Sequence, residues 1–140
     1  MFLLDTNVVS ELRKAGKADA QVRHWAAPVS PAALYLSVIS VLELEIGILR
    51  VERRDRAQGT LLRAWLEQRV LTAFEDRILP IDTAVARRCA RLHVPDPSSD
   101  RDALIAATAL VHRMTVVTRN VADFEGTGVP LLNPWTGASA

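Results

Sequence analysis

The sequence predicts an α/β fold with a mostly parallel central sheet covered by helices. Three features carry that expectation. Phe2-Leu3-Leu4 is short and wholly apolar, as a strand covered on both faces must be. Longer segments place apolar residues at helical spacing, such as Leu61, Leu62, Trp65, Leu66 and Val70 opposite Arg63, Glu67 and Arg69. The two kinds of segment alternate along the chain, the arrangement that builds parallel sheets from strand-helix-strand units.

Taken in order, the first strand runs into Thr6 or Asn7, either of which can cap the helix that follows. A short helix is expected over residues 8–13 and a second over 18–27, stopped by Pro28 and Pro31. Residues 34–38 supply the next strand. From Ser40, the apolar residues Val41, Leu42, Leu44, Ile46, Ile48 and Leu49 are too numerous for strand alternation and fit a largely buried helix reaching Arg54. Residues 57–73 form an amphipathic helix, with the turn of a helical hairpin between Arg50 and Arg56. A strand over 77–81 precedes Asp82, which caps a helix over 83–93, and Pro95 and Pro97 then force a loop. The alanine-rich stretch 103–112 has side chains small enough to pack closely on a sheet. Residues 115–117 and 129–132 are the final strands. This reading gives one domain over 1–135 and a short, loose tail over 136–140.

A chain of 140 residues has the size of one domain. Its 49% hydrophobic and 24% charged residues suffice for a packed core and argue against long disorder. A formal net charge of +1 excludes a polycation that coats nucleic acid without selectivity, so any grip on a polyanion has to be local. Basic residues are mostly Arg, with Lys only at 14 and 17; this suits planar contacts to phosphate and equally fits a genomic bias in base composition. Cys89 has no partner for a disulfide or a Cys-X-X-Cys motif and reads as a small helix residue. No signal segment opens the chain and no apolar run approaches the ~18 residues of a membrane span. A cytoplasmic protein without membrane contact is expected. His24, His93 and His112 are scattered without metal-ligand spacing, and no glycine-rich phosphate loop is present.

Four carboxylates sit where strands and helices join: Asp5 after the first strand, Glu43 early in a helix, Asp102 before Ala103-Leu104-Ile105-Ala106-Ala107, and Asp123 after Thr118-Arg119-Asn120. In an open parallel sheet such corners meet beyond the carboxyl ends of the strands. Carboxylates crowded together raise each other's proton affinity unless a hard cation favours the ionised forms. Magnesium meets that need, since it takes oxygen ligands and keeps several waters. Each acid also has an ordinary reading. Asp5 suits a helix cap, Glu43 a partner for an Arg, Asp102 a cap in competition with Asp100, and Asp123 a turn.

The ordered set, Asp5-Thr6-Asn7, then Glu43 with Gly47, then Asp102 before the Ala-Leu-Ile-Ala-Ala run, then Thr118-Arg119-Asn120-Val121-Ala122-Asp123-Phe124, resembles the PIN-domain ribonucleases, and within them the VapC/FitB-type toxins of type II toxin–antitoxin systems. The resemblance spans the chain from Leu3 to about Trp135. It implies a PIN-like three-layer α/β/α sandwich with a helical hairpin. It also implies a magnesium- or manganese-dependent endoribonuclease in which water attacks an RNA phosphodiester, leaving 5′-phosphate and 3′-hydroxyl ends. Under the same resemblance, Asp5 and Asp102 are the primary metal ligands, while Asp123 and Glu43 hold coordinated water, a second ion or the nucleophile. Thr6, Asn7, Thr118 and Asn120 orient those carboxylates, and Arg119 meets phosphate. The implied partners are RNA, a small cognate antitoxin and a second copy of the chain, in a homodimer or a higher assembly with antitoxin. The exposed side of the 40–73 hairpin, with Leu61, Trp65 and Leu66, is the expected interface. Two other functions fit parts of the pattern: a non-catalytic PIN module that binds RNA or a protein, and an aspartate-based phosphatase using Asp5. Asn7 stands where such a phosphatase usually has a second Asp, which weakens the latter.

Overall fold

The computed structural model describes residues 1–139; Ala140, the end of the expected tail, lies outside the described residues. Strands β1 (Phe2–Leu4), β2 (Leu34–Ser37), β3 (Ile78–Leu79), β4 (Thr115–Val117), β5 (Leu131–Asn133) and β6 (Ala138–Ser139) form one sheet in the order β3-β2-β1-β4-β5-β6. The first five are parallel and β6 runs antiparallel to β5. Helices α1 (Thr6–Leu12), α2 (Ala20–Ala26), α3 (Val38–Arg54), α4 (Arg56–Trp65), α5 (Leu71–Ala73), α6 (Thr83–Leu92) and α7 (Asp100–His112) connect them.

Neighbouring residues of each central strand face opposite cores, which is why the strands show no polar alternation. Leu3, Val116 and Leu131 face a core closed by Ile105, Ala106 and Ala109 of α7 and by Phe124. Leu4, Leu36 and Val117 face the other, against Val8 and Val9 of α1, Leu44 and Ile48 of α3, and Leu66 and Val70. Each Leu, Ile, Val or Phe among them, fully buried, contributes about 1.5–3 kcal/mol of apolar transfer. The result is the expected α/β/α sandwich. The small residues of α7 let it pack on two sides at once, because Ala103 and Ala107 face Val85 and Cys89 of α6. Cys89 is thus a packing residue, and burial holds its thiol above the ordinary range. No helix among the described residues is long and apolar enough to cross a membrane.

Several boundaries differ from those expected. Helix α3 starts at Val38, because the Ser37 hydroxyl accepts a hydrogen bond from the Ile39 N–H at 3.0 Å and caps it before Ser40 can. Glu43 therefore sits in the second turn. The hairpin turn shrinks to Asp55, which ends α3 and caps α4 through the Gln58 N–H at 3.1 Å. Such a tight turn brings α3 against Gly59, where a Cβ would lie 2.6 Å from Glu52 Cγ and 2.7 Å from Glu52 Cα. A wide helical turn over Leu66–Val70 then joins α4 to α5, with both named residues buried. Leu66 accordingly leaves the expected interface for the core. Strand β5 begins after Pro130, which lends its carbonyl to Val116 but has no N–H for the ladder. Beyond it, Gly137 takes a positive φ of 72° and donates its N–H to the Asn133 carbonyl, turning the chain so that Ala138 and Ser139 pair with β5. Those residues had been assigned to the loose tail.

Candidate active site

The chain leaves β1 for β2 on one side and later returns to β4 on the other. The crevice at the carboxyl ends of β1 and β4 is therefore the topological switch point, where open α/β sheets receive ligands. Asp5 follows β1 and Thr118 follows β4, and the two side chains meet there.

Asp5 uses both carboxylate oxygens. Oδ1 accepts the Thr6 N–H at 2.8 Å and so caps α1, while Oδ2 accepts the Thr118 hydroxyl at 2.8 Å and the Asn7 amide at 3.4 Å. The cap and site readings of Asp5 thus describe one residue in two contacts. Its N–H bonds the Val117 carbonyl at 2.9 Å, which fixes its backbone to β4. The Thr118 hydroxyl accepts the Asn120 N–H at 3.0 Å, and the Asn7 carbonyl oxygen accepts the Arg119 N–H at 3.3 Å. Thr118, Asn7 and Asn120 therefore brace Asp5 as a connected network. The Arg119 guanidinium turns away and lies 5.2 Å over the Trp135 ring.

Glu43 reaches the same cleft from α3. Its Oε1 accepts the Thr6 hydroxyl at 2.7 Å, and its Oε2 lies 3.8 Å from Arg101 Nη1. Asp102 is the third residue of α7, whose capping position is taken by Ser99. Asp123 stands in a short 3₁₀ turn, Val121–Phe124, anchored by the buried Phe124 ring. All four acids line one cavity of ≈ 390 Å³ with Thr6, Asn7, Ser10 and Asn120.

Proton affinities report this crowding. Burial raises the Asp5 carboxyl above its usual range, with Glu43 and Asp102 adding to the rise and the bonds from Thr118 and Thr6 opposing it. Asp102 is raised by burial first, then by Asp123 and Glu43, with Ser99 opposing. Among the described residues no three acidic, His or Cys side chains form a ready-made metal cage. The donor set still suits a hard divalent cation, because it offers only oxygen, carries excess negative charge, and need supply just one or two direct ligands to an ion that keeps its waters.

Sequence reasoning missed Ser10 and Arg101. Ser10 lies one helical turn beyond Thr6, a spacing that could have flagged it; Arg101 had only its place beside Asp102. Two tryptophans have partners within the chain: Trp25 packs edge-on against Phe2 at 5.4 Å and Trp65 lies under Arg13 at 5.9 Å.

A PIN-domain family model matches residues 2–128. The chain belongs to the PIN-domain family. Its relatives place it with the VapC and FitB proteins. VapC ribonuclease Y4jK of Sinorhizobium fredii is 38% identical over 143 residues, covering 99% of this chain and 100% of that protein. Toxin FitB of Neisseria gonorrhoeae is 36% identical over 141 residues, covering 96% and 99%. The crystal structure of FitAcB from Neisseria gonorrhoeae matches the fold with a TM-score of 0.87 at 35% identity, over 96% of this chain and 99% of that one. The PIN-domain sheet of this chain thus carries its four acids at the end of β1, on α3, on α7 and in the turn after β4.

Proposed function

We propose that this PIN domain is a divalent-metal-dependent endoribonuclease and the toxin of a toxin–antitoxin pair, acting in the cytoplasm. The observation that carries the proposal is the gathering of Asp5, Glu43, Asp102 and Asp123 around one cleft, with Asp5 and Asp102 both raised in proton affinity. The names of the relatives, a VapC ribonuclease and a toxin, support it.

Asp5 and Asp102 would hold Mg²⁺ or Mn²⁺, with Glu43 and Asp123 beside them. When bound, the ion supplies positive charge to the phosphate and lowers the pKa of water. Thr118 and the Thr6 N–H fix the two oxygens of Asp5, so its carboxylate costs little to reorganise. Glu43 is already engaged by Thr6 and faced by Arg101, which leaves Asp123 to take the proton of the attacking water. The water oxygen bonds to phosphorus as the bond to the 3′ oxygen breaks, and the leaving 3′ oxygen takes a proton from solvent water, giving 5′-phosphate and 3′-hydroxyl ends.

The implied antitoxin is a small protein that silences the cleft, and the implied assembly is a homodimer or a larger complex with antitoxin. Leu42, Leu49 and Leu61 are exposed on the hairpin and keep that face as the proposed contact surface.

The test is incubation of total cellular RNA with the wild-type chain in magnesium, in EDTA, and with Asp5→Asn, followed by end mapping. Cleavage with 5′-phosphate ends, lost in EDTA and in the variant, is the expected result. Cyclic phosphate ends or cleavage that survives chelation would exclude the mechanism. Equal cleavage by the variant would point to a contaminating nuclease and to a PIN module that only binds.

A further inference from the structure

An acid-lined cleft repels the polyanion it is proposed to cut, and a net charge of +1 provides no general attraction. A divalent ion and Arg101 would offset only part of the charge of four acids, so further attraction must come from cations outside the cleft. Helix α6 presents a cluster of them: Arg87, Arg88 and Arg91 line one cavity of ≈ 250 Å³ with Ala84 and Val111. Arg87 and Arg91 stand one helical turn apart, about 6 Å, a spacing at which like charges destabilise a helix unless an anion joins them. Among the described residues none of the three has an ion-pair partner. Asp82, at the head of the same helix, is committed to the Val85 N–H.

The cluster is separate from the acid-lined cleft, and the two cavities share no lining residue. Helices α6 and α7 run antiparallel: Ala84 and Val111 meet at one end, and at the other His93 Nε2 lies 3.7 Å from Asp100 Oδ1, two residues before Asp102. The cavity therefore lies toward the end of α7 away from Asp102, with Arg91 the member of the cluster nearest the acids along α6. The hairpin arginines Arg50, Arg53, Arg54 and Arg56 are exposed but are distributed around the Asp55 break.

We propose that Arg87, Arg88 and Arg91 form an exosite for the phosphodiester backbone, holding a single-stranded stretch of the RNA outside the cleft. Guanidinium forks match phosphate oxygens two at a time, and a site reading only phosphate is indifferent to base sequence. The inference rests on the ribonuclease reading but is measured without cleavage.

The full chain, in EDTA, is titrated into a labelled single-stranded RNA oligonucleotide at several salt concentrations, with fluorescence anisotropy giving the dissociation constant. Replacing three phosphate contacts in R87A/R88A/R91A lowers the slope of log affinity against log salt by about 2, at ~0.7 per contact on a single strand. R87K/R88K/R91K retains the charge and the slope. R53A/R54A/R56A removes the same charge from the hairpin and changes the slope by less than one contact. An unchanged slope in the α6 alanine variant, an equal loss in the hairpin variant, or a loss in the lysine variant would each overturn the exosite. A matched DNA strand showing the same slope supports recognition of phosphate alone. Polyglutamate bound through α6 while the RNA slope stays unaltered would assign the surface to an acidic protein instead. Slope loss in a chain that cuts no RNA would retain the exosite and end the ribonuclease reading; cleavage with an unaltered slope would do the reverse.

Discussion

Two places in this molecule gather carboxylates, and they treat them in opposite ways. At the hairpin, Glu45, Glu52 and Glu67 surround Arg63 at 2.6, 3.1 and 3.9 Å, and hydrogen bonds from Glu52 and Glu45 hold the guanidinium proton more firmly than usual. In the cleft, four acids face each other, and the ion pair they make is the 3.8 Å approach of Arg101 to Glu43. Glutamates with a fixed internal counter-ion tie α3 to α4. Acids left without one raise each other's proton affinity and leave room for a cation from solution.

The contrast breaks most sharply with Asp102→Asn. We expect a loss of about a thousandfold in RNA cleavage, the scale on which electrostatic stabilisation of a transition state is lost, measured as initial rate in saturating magnesium. The same substitution leaves the metal-free protein as stable as the wild type or more so, read by thermal melting in EDTA, because it removes a carboxylate whose charged form burial disfavours. Next in size is Thr6→Val, which frees Glu43 from its 2.7 Å bond while keeping the shape of the side chain. Cleavage should fall about 10- to 100-fold, as for other groups that orient a ligand, with little change in melting. Gly59→Ala acts only on the hairpin. The added methyl meets Glu52 Cα at 2.7 Å and should cost ~1–3 kcal/mol in denaturant unfolding, with the cleavage rate per folded molecule retained.

The smallest effect is the pH dependence of the metal-free fold. Asp5 and Asp102 titrate above their ordinary 3.8 in the folded chain. Between 3.8 and the raised values the folded state therefore binds more protons than the unfolded one, so stability from these two groups falls as pH rises through that window. Glu11 acts in the other sense. Bonds from the Asp19 N–H and from Lys14 hold it below 4.5, so its contribution is present above 4.5 and disappears as pH falls through the lowered value. The melting advantage of Asp102→Asn over wild type should accordingly be largest at neutral pH and shrink as pH approaches 3.8.

The fold was readable because its central strands are uninterrupted apolar runs and its helices have clear faces. What escaped depended on local competition that periodicity does not record. Ser37 and Ser40 are both plausible caps, and only the backbone decides for Ser37. The one-residue turn at Asp55 needed the absent side chain of Gly59, and no residue in Leu66–Val70 announces a wide turn. Trp65 and Leu66 are adjacent, yet Leu66 is fully buried in the sandwich and Trp65 is not. At the cleft, Asp5, Glu43, Asp102 and Asp123 are far apart in sequence, and their order, more than any spacing, marked them out. Arg101 was invisible to that pattern because it reaches Glu43 across two helices.

The most direct measurement is calorimetric titration of Mn²⁺ into the metal-free protein in buffers of different ionisation enthalpy, with wild type, Asp5→Asn and Asp102→Asn compared. The account predicts that wild type binds the ion and releases protons as it does so, increasingly as pH falls toward the raised values of Asp5 and Asp102, and that either variant loses most of the affinity. Binding of equal strength in all three, or no binding by the wild type, would contradict it.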